Sequence, residues 1–343
     1  MRSTTPTTLL FLLAACGAEA AGTETGPGPV IYVALDQEFS QPLLDRFSKE
    51  LGVPVQQRHD SEANKTVGLV SSIKEEQSRP RCDVFWNNEL ANTVTLAQLG
   101  LLQPYESPAA KDVPAKWRDP QGRWTGFAAR ARVIVVNTEL LPDPKDWPTS
   151  YKDLIDPKWK GRCAVAKPLR GTTLTHFTAL QKALGAPALE AFFDKMVQND
   201  VKLLASNGAT LRETRDGKVA WAFTDTDDYH VAKVNGFKVA CVFPDQEEGG
   251  LGTMLIPNSV AIIKGCPDPE NGKRLVDKIL ARETEALLAA AESAQIPLRA
   301  GVVGPKDPSI KGLGAFKEMQ WDVEWAGANI GRCSQEFGKR FGL

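Results

Sequence analysis

Apolar positions along this chain fall into two alternating rhythms. Short β-branched runs are followed by stretches in which the apolar residues recur every three or four positions. The run PVIYVAL at 29–35 precedes SQPLLDRFSKELG at 40–52, where Leu43, Leu44, Phe47 and Leu51 share one helical face between a Ser40 start and a Gly52 stop. The pairing returns in VPVQQRH at 53–59 with a helix around 66–77. It returns again in CDVFWN at 82–87 with the helical ELANTVTLAQLG. A long apolar strand, RARVIVVNT at 130–138, leads to a second set: a strand at 163–167, helices at 175–184 and 187–197, then VKLLAS and KVAWAFTD. MLIPNSVAIIKG at 254–265 reads as a last strand, and 269–292 as one long helix. Buried strands interleaved with helices predict an α/β architecture on parallel sheets, with any ligand beyond the strands' carboxyl ends.

The first sixteen residues, MRSTTPTTLLFLLAAC, break this rhythm. Arg2 precedes an apolar run from Leu9 to Ala15 that is too short to span a bilayer and has the shape of a signal-peptide core. The small residues before Cys16 resemble a bacterial lipobox, which predicts lipidation of Cys16 and membrane attachment through that lipid alone. Residues 17–29, GAEAAGTETGPGP, are too small and too rich in Gly and Pro to build a core, and read as a tether. The expected location is therefore the outer side of the cytoplasmic membrane, periplasmic or at the cell surface.

Composition narrows the classes further. A chain of 343 residues with 42% hydrophobic content can bury two medium cores. A net charge of −1 and the lack of a basic block argue against nucleic acid as a partner. Of the six cysteines, none has metal-ligand spacing. In an oxidising compartment Cys163 with Cys241, and Cys266 with Cys333, are candidate disulfides.

The densest chemistry lies in AWAFTDTDDYHVAKVNG at 220–236, at the end of an apolar strand. Asp225, Asp227 and Asp228 repel one another unless something positive sits among them. Elsewhere Arg130, Lys167, Arg170 and the threonines of LRGTTLTH gather where a helix begins, a place receptive to phosphate or carboxylate. No HExxH, nucleophile elbow or GK[ST] loop is present, so nothing points to a catalytic cofactor or to an enzyme. A secreted hydrolase with an acidic cleft is the weakest of the readings.

Six stretches in order, KELGVPVQ, DVFWNNELANTVTLAQLGLLQPY, RARVIVVNT, DPKWKGRCAVAKP, RETRDGKVAWAFTDTDDYHVAKVNG and IPNSVAIIKG…AESAQIPLRAGV, resemble the ferric-ion-binding proteins of bacterial ABC transporters over roughly residues 29–310. The resemblance implies a two-lobed, type II periplasmic-binding-protein fold whose lobes are joined by two crossing strands, near 130–137 and 256–261. On this reading 30–130 and 258–310 form one discontinuous lobe and 131–257 the other. Residues 1–16 are the signal and lipidated cysteine, 17–29 the tether, and 311–343 a helical segment packing on the lobes. It also implies a monomer that hands its ligand to a membrane permease with its ATPase.

The resemblance carries site residues as well. The family's histidine ligand falls on Glu38, its glutamate on Asn88 with Glu89 next to it, and its tyrosine pair on Thr226 and Asp227 with Tyr229 nearby. Its R-x-R pair matches Arg130 and Arg132, and its anion-holding helix start matches Gly171, Thr172 and Thr173. None of the four metal ligands is retained in place. Glu38, Glu89, Asp225, Asp227 and Tyr229 are then the expected oxygen ligands of ferric iron or another hard cation, with Asp228 beside them. The alternative is a phosphorylated or phosphonate solute, because an acidic stretch opposite a basic, hydroxyl-rich one suits a ligand with both charges.

Overall fold

In the computed structural model, which describes residues 27–60 and 67–342, the β-branched runs form strands and the amphipathic stretches form helices. The signal segment, Cys16 and most of the tether lie outside those residues. The first half of the chain supplies β1 (Val30–Val33), α1 (Gln37–Leu51), β2 (Gln56–His59), α2 (Val67–Glu75), β3 (Val84–Asn87), α3 (Ala91–Gln98), β4 (Leu102–Gln103) and β5 (Thr125–Asn137). Next come β6 (Cys163–Ala166), α4 (Gly171–Leu184), α5 (Ala186–Gln198), β7 (Lys202–Leu204), α6 (Asn207–Arg215), β8 (Trp221–Asp225), α7 (Thr226–Val234) and β9 (Val239–Val242). The chain closes with β10 (Leu255–Ile263), α8 (Pro269–Ile279), α9 (Arg282–Ala290) and α10 (Val323–Arg340).

The strands are joined in one hydrogen-bonded path, β2-β1-β3-β10-β5-β8-β6-β7, rather than in two detached sheets. β5 is the reason. Its first half, Thr125–Ala131, pairs antiparallel with β10, and from Arg132 onward it pairs with β8 and β9. β1, β2 and β3 run parallel on one side of this crossing, and β6, β7 and β8 run parallel on the other. The pairing of β10 with β5 slips between Pro257 and Asn258, and beside that bulge Ala128 has φ of 32°. The Asn258 side-chain amide donates to the Ala128 and Gln295 oxygens, and Glu285 accepts from the Ala128 amide at 2.8 Å.

Two apolar cores sit on either side of the crossing. One gathers Ile31, Phe47, Val84, Phe85, Phe127 and Ile262; the other gathers Ile134, Trp159, Phe177, Phe193, Trp221 and Phe223. Trp86 is fully buried in the first, 5.3 Å from the Phe127 ring, and its indole donates to Asn258. Leu211, Tyr229 and Phe243 come from the second set of elements yet pack into the first core. α10 lies against both α3 and α4, one from each side.

The long helix expected over 269–292 is broken. Ala281 is extended (φ −65°, ψ 144°), and the Thr284 hydroxyl donates to the Lys278 carbonyl at 2.7 Å, closing off α8 before α9 starts. The candidate disulfides do not form either. Cys163 in β6 and Cys241 in β9 are separated by β8 and β5, and Cys266 and Cys333 belong to different cores. Among the described residues no helix is long and apolar enough to cross a membrane.

Candidate functional site

A cleft of about 540 Å³ opens where the carboxyl ends of β1, β3, β6, β7 and β8 face one another. Asp36 and Glu38, at the start of α1, and Asn88, after β3, line the side of the first core. Lys167, Arg170, Thr172 and Thr173 line the other side from the β6–α4 connection, with Ser206 and Asn207 from the β7–α6 connection. Asp225, Asp227 and Asp228 come from the junction of β8 with α7. Four helices, α1, α4, α6 and α7, therefore begin at the cleft, where their amide ends favour negative charge. Gly171, the first residue of α4, sits at φ of 58°, a conformation that a side chain would strain. Ser206 caps α6 by accepting from the Ala209 amide at 3.2 Å.

The crowded aspartates have positive partners within the chain. Arg132, fully buried beneath the cleft, places Nη1 2.7 Å from Asp225 Oδ1. Arg130, also buried, sits 3.3 Å from Asp227 Oδ2 and 3.8 Å from Asp225 Oδ2. Asp225 Oδ2 further accepts from the Thr172 hydroxyl at 2.7 Å and the Asn207 side-chain amide at 2.8 Å. Burial alone would raise the Asp225 carboxyl, but Arg132 and Arg130 outweigh it and hold the group below the usual carboxylate range. Burial would likewise strip the Arg130 proton, yet Asp227, Asp225 and Asp36 keep it firmly bound. Behind Arg132, His176 stacks on Phe223 at 5.1 Å, and burial followed by the nearby guanidinium pushes it down to about 3, so it is neutral.

Eleven of the residues singled out in the sequence line the cleft: Glu38, Asn88, Arg130, Lys167, Arg170, Gly171, Thr172, Thr173, Asp225, Asp227 and Asp228. Glu89, Thr226 and Tyr229 do not. Glu89 is buried and accepts from the amides of Ala91 and Asn92, the Asn87 side chain and the Thr175 hydroxyl, so it serves the start of α3. Thr226 accepts from the Ala131 amide at 3.1 Å. Tyr229 is 1% exposed and turns its hydroxyl toward Ser309 and Lys233, away from the cleft. The five expected metal ligands are thus not brought together. Among the described residues, the oxygens of Asp225, Asp227 and Asp228 lie within 4.8 Å of one another.

Sequence reasoning missed Asp36, Ser206, Asn207, Arg212 and Arg215 in the lining. The Ser206-Asn207-Gly208 run was the available signal, since a capping serine followed by small polar residues marks a helix start.

The model of the bacterial extracellular solute-binding protein family matches residues 93–323. The chain belongs to that family. Among similar proteins, iron uptake protein A1 of Synechocystis is 27% identical over 84% of this chain and 79% of its own length. A putative 2-aminoethylphosphonate-binding periplasmic protein of Salmonella typhi is 24% identical over 84% and 83%. Among solved structures, iron-bound HitA of Pseudomonas aeruginosa superposes with a TM-score of 0.79 at 22% identity, covering 90% of this chain and 99% of that one. AfuA of Actinobacillus pleuropneumoniae with fructose-6-phosphate gives 0.78 at 22%, covering 92% and 99%. These likenesses fix the fold as the two-lobed type II periplasmic-binding-protein architecture, and the resemblance to ferric-ion-binding proteins holds along most of the chain.

Proposed function

We propose that this protein is the solute-binding lipoprotein of an ABC importer, and that it captures a small solute carrying both a phosphate or phosphonate group and a cationic group. The observation that carries the ligand class is the polarity of the cleft. Among the described residues five acidic and five basic side chains line it: Asp36, Glu38 and the three aspartates at the junction of β8 with α7, against Arg130, Lys167, Arg170, Arg212 and Arg215. Asp225 is already matched by Arg132, so it does not call for a metal ion. The starts of α4 and α6 suit the anionic end of a solute, and Asp36 with Glu38 suit its cationic end.

Ferric iron is the second reading, favoured by the closeness of Asp225, Asp227 and Asp228 and by the names of the relatives. The lobes are proposed to comprise 30–130 with 258–310, and 131–257, closing on the solute about β5 and β10, with 311–343 packed across both. Cys16 is proposed to carry the lipid that holds a monomer beside its permease and ATPase on the periplasmic or cell-surface side. Metabolic palmitate labelling tests this; label on the wild type and none on Cys16→Ser supports it.

Isothermal calorimetry on chelator-treated protein tests the ligand class, with 2-aminoethylphosphonate, sugar phosphates, Fe³⁺-citrate, Mn²⁺ and Ca²⁺ as probes. Chelator-resistant binding of 2-aminoethylphosphonate, tighter than that of the sugar phosphates that lack a cationic group, supports the proposal. Tight binding of Fe³⁺ with none of those probes overturns it in favour of iron.

A further inference from the structure

We propose that Asp225 is a built-in anion: its carboxylate fills an oxyanion site made by Arg132, Thr172 and Asn207, and so keeps free phosphate, sulfate or carboxylate out of that position. The donors that converge there are of the kinds that bind oxyanions, a guanidinium, a hydroxyl and a side-chain amide. They reach Asp225 at 2.7, 2.7 and 2.8 Å from three different segments, β5, the start of α4 and the start of α6. Thr173 completes the same pocket, accepting from Arg132 Nη2 at 3.3 Å. The occupant is itself 1% exposed, and both of its oxygens are engaged.

Two simpler accounts of Asp225 fail. It stands at the position that caps α7, yet its side chain caps nothing there and crosses to β5 and α4 instead. Net stability alone does not account for the pair, since a buried ion pair often contributes no more than well-packed apolar residues of the same volume. What the pair does is satisfy a fully buried guanidinium beneath the cleft, Arg132, from inside the chain. A solute's anionic group is thereby left to Lys167, Arg170 and the open part of the α4 and α6 starts. Arg132 and Asp225 meet within the chain whatever solute the cleft takes.

The test is chemical rescue, read without solute. Asp225→Ala and the isosteric Asp225→Asn are melted in chloride, formate, acetate and phosphate at constant ionic strength, with the wild-type response to each salt as the baseline. The expected result is a saturable rise of about 3 °C over that baseline at an anion concentration about ten times its Kd, for at least one variant. Adding Arg132→Met should abolish the rise. The proposal is overturned if both variants follow the wild-type salt response, if the rise survives Arg132→Met, or if neither variant refolds even with the anions present.

Discussion

The Thr175 hydroxyl donates to Glu89 Oε2 at 3.1 Å, tying α4 on one side of the cleft to the start of α3 on the other. Glu89 also receives the Ala91 and Asn92 amides, at 2.8 and 3.0 Å. A carboxylate so engaged is a structural acceptor. Glu89→Ala is therefore expected to cost about 2–4 kcal/mol in urea unfolding, because several buried donors lose their partner together. Thr175→Val should cost about 1 kcal/mol. Metal content and metal affinity should not change in either; a Glu89→Ala protein of normal stability that loses a bound metal would contradict this assignment.

Tyr229 gives a parallel prediction. Burial, more than anything near it, raises its phenol, so it is neutral at physiological pH. Facing Ser309 and Lys233, it has no route to a cation in the cleft. Fe³⁺ added to the wild type should produce no phenolate charge-transfer band in the visible spectrum. Tyr229→Phe should lose about 1 kcal/mol of stability and leave affinity for any cleft solute within about twofold.

How much of this was legible in the sequence follows from what each residue is asked to do. The strand and helix order was readable because burying one face imposes a period, as Leu43, Leu44, Phe47 and Leu51 do on α1. The acidic run after β8 was readable as a site because three carboxylates in four residues need compensation. That the compensation would be Arg130 and Arg132 was not, since the pairing depends on β5 lying beside β8 in a register that sets Arg132 opposite Asp225. Tyr229 and Glu89 misled for a related reason: proximity in sequence to a site residue does not fix which side of a helix or turn a side chain takes. Nothing in TGFAARAR announces the positive φ at Ala128. That conformation is imposed from outside, by Asn258 and Glu285 gripping its carbonyl and amide.

Asp245 supplies a pH dependence. Burial raises its carboxyl to about 6, against the Ser150 hydroxyl and Tyr151 amide, which pull it down. In the unfolded chain the same group titrates near about 3.9. As pH rises through the interval between these values, the unfolded state releases its proton first and stability falls; above about 6 the loss is complete, at roughly 2–3 kcal/mol. Asp245→Asn removes that slope, and asparagine also tolerates the φ of 59° found there. Thermal melts should show the variant more stable than wild type at pH 7–8 and equal to it near pH 4. A constant offset at all pH values would mean that the carboxyl titrates normally.

Arg130 closes the floor of the cleft through two different bonds. Nη2 donates to the Asn88 carbonyl from the side of the first core, and Nη1 to Asp227 on the other side at 3.3 Å. A planar fork can hold both at once, whereas an ammonium on a flexible stem is a point charge that cannot reproduce that geometry. Arg130→Lys keeps the charge opposite Asp227 but gives up one of the two bonds, so a loss of about 1–2 kcal/mol is expected in urea unfolding. Arg130→Ala takes the guanidinium away from two buried carboxylates, Asp227 at 3.3 Å and Asp225 at 3.8 Å, and should cost about 3–5 kcal/mol. If the cost is mainly that lost compensation, the double variant Arg130→Ala/Asp227→Ala will be more stable than Arg130→Ala alone, with a coupling of about 1–3 kcal/mol in the cycle. Additive losses would place the worth of Arg130 in its bond to Asn88 instead, and would leave Asp227 to a different partner across the cleft.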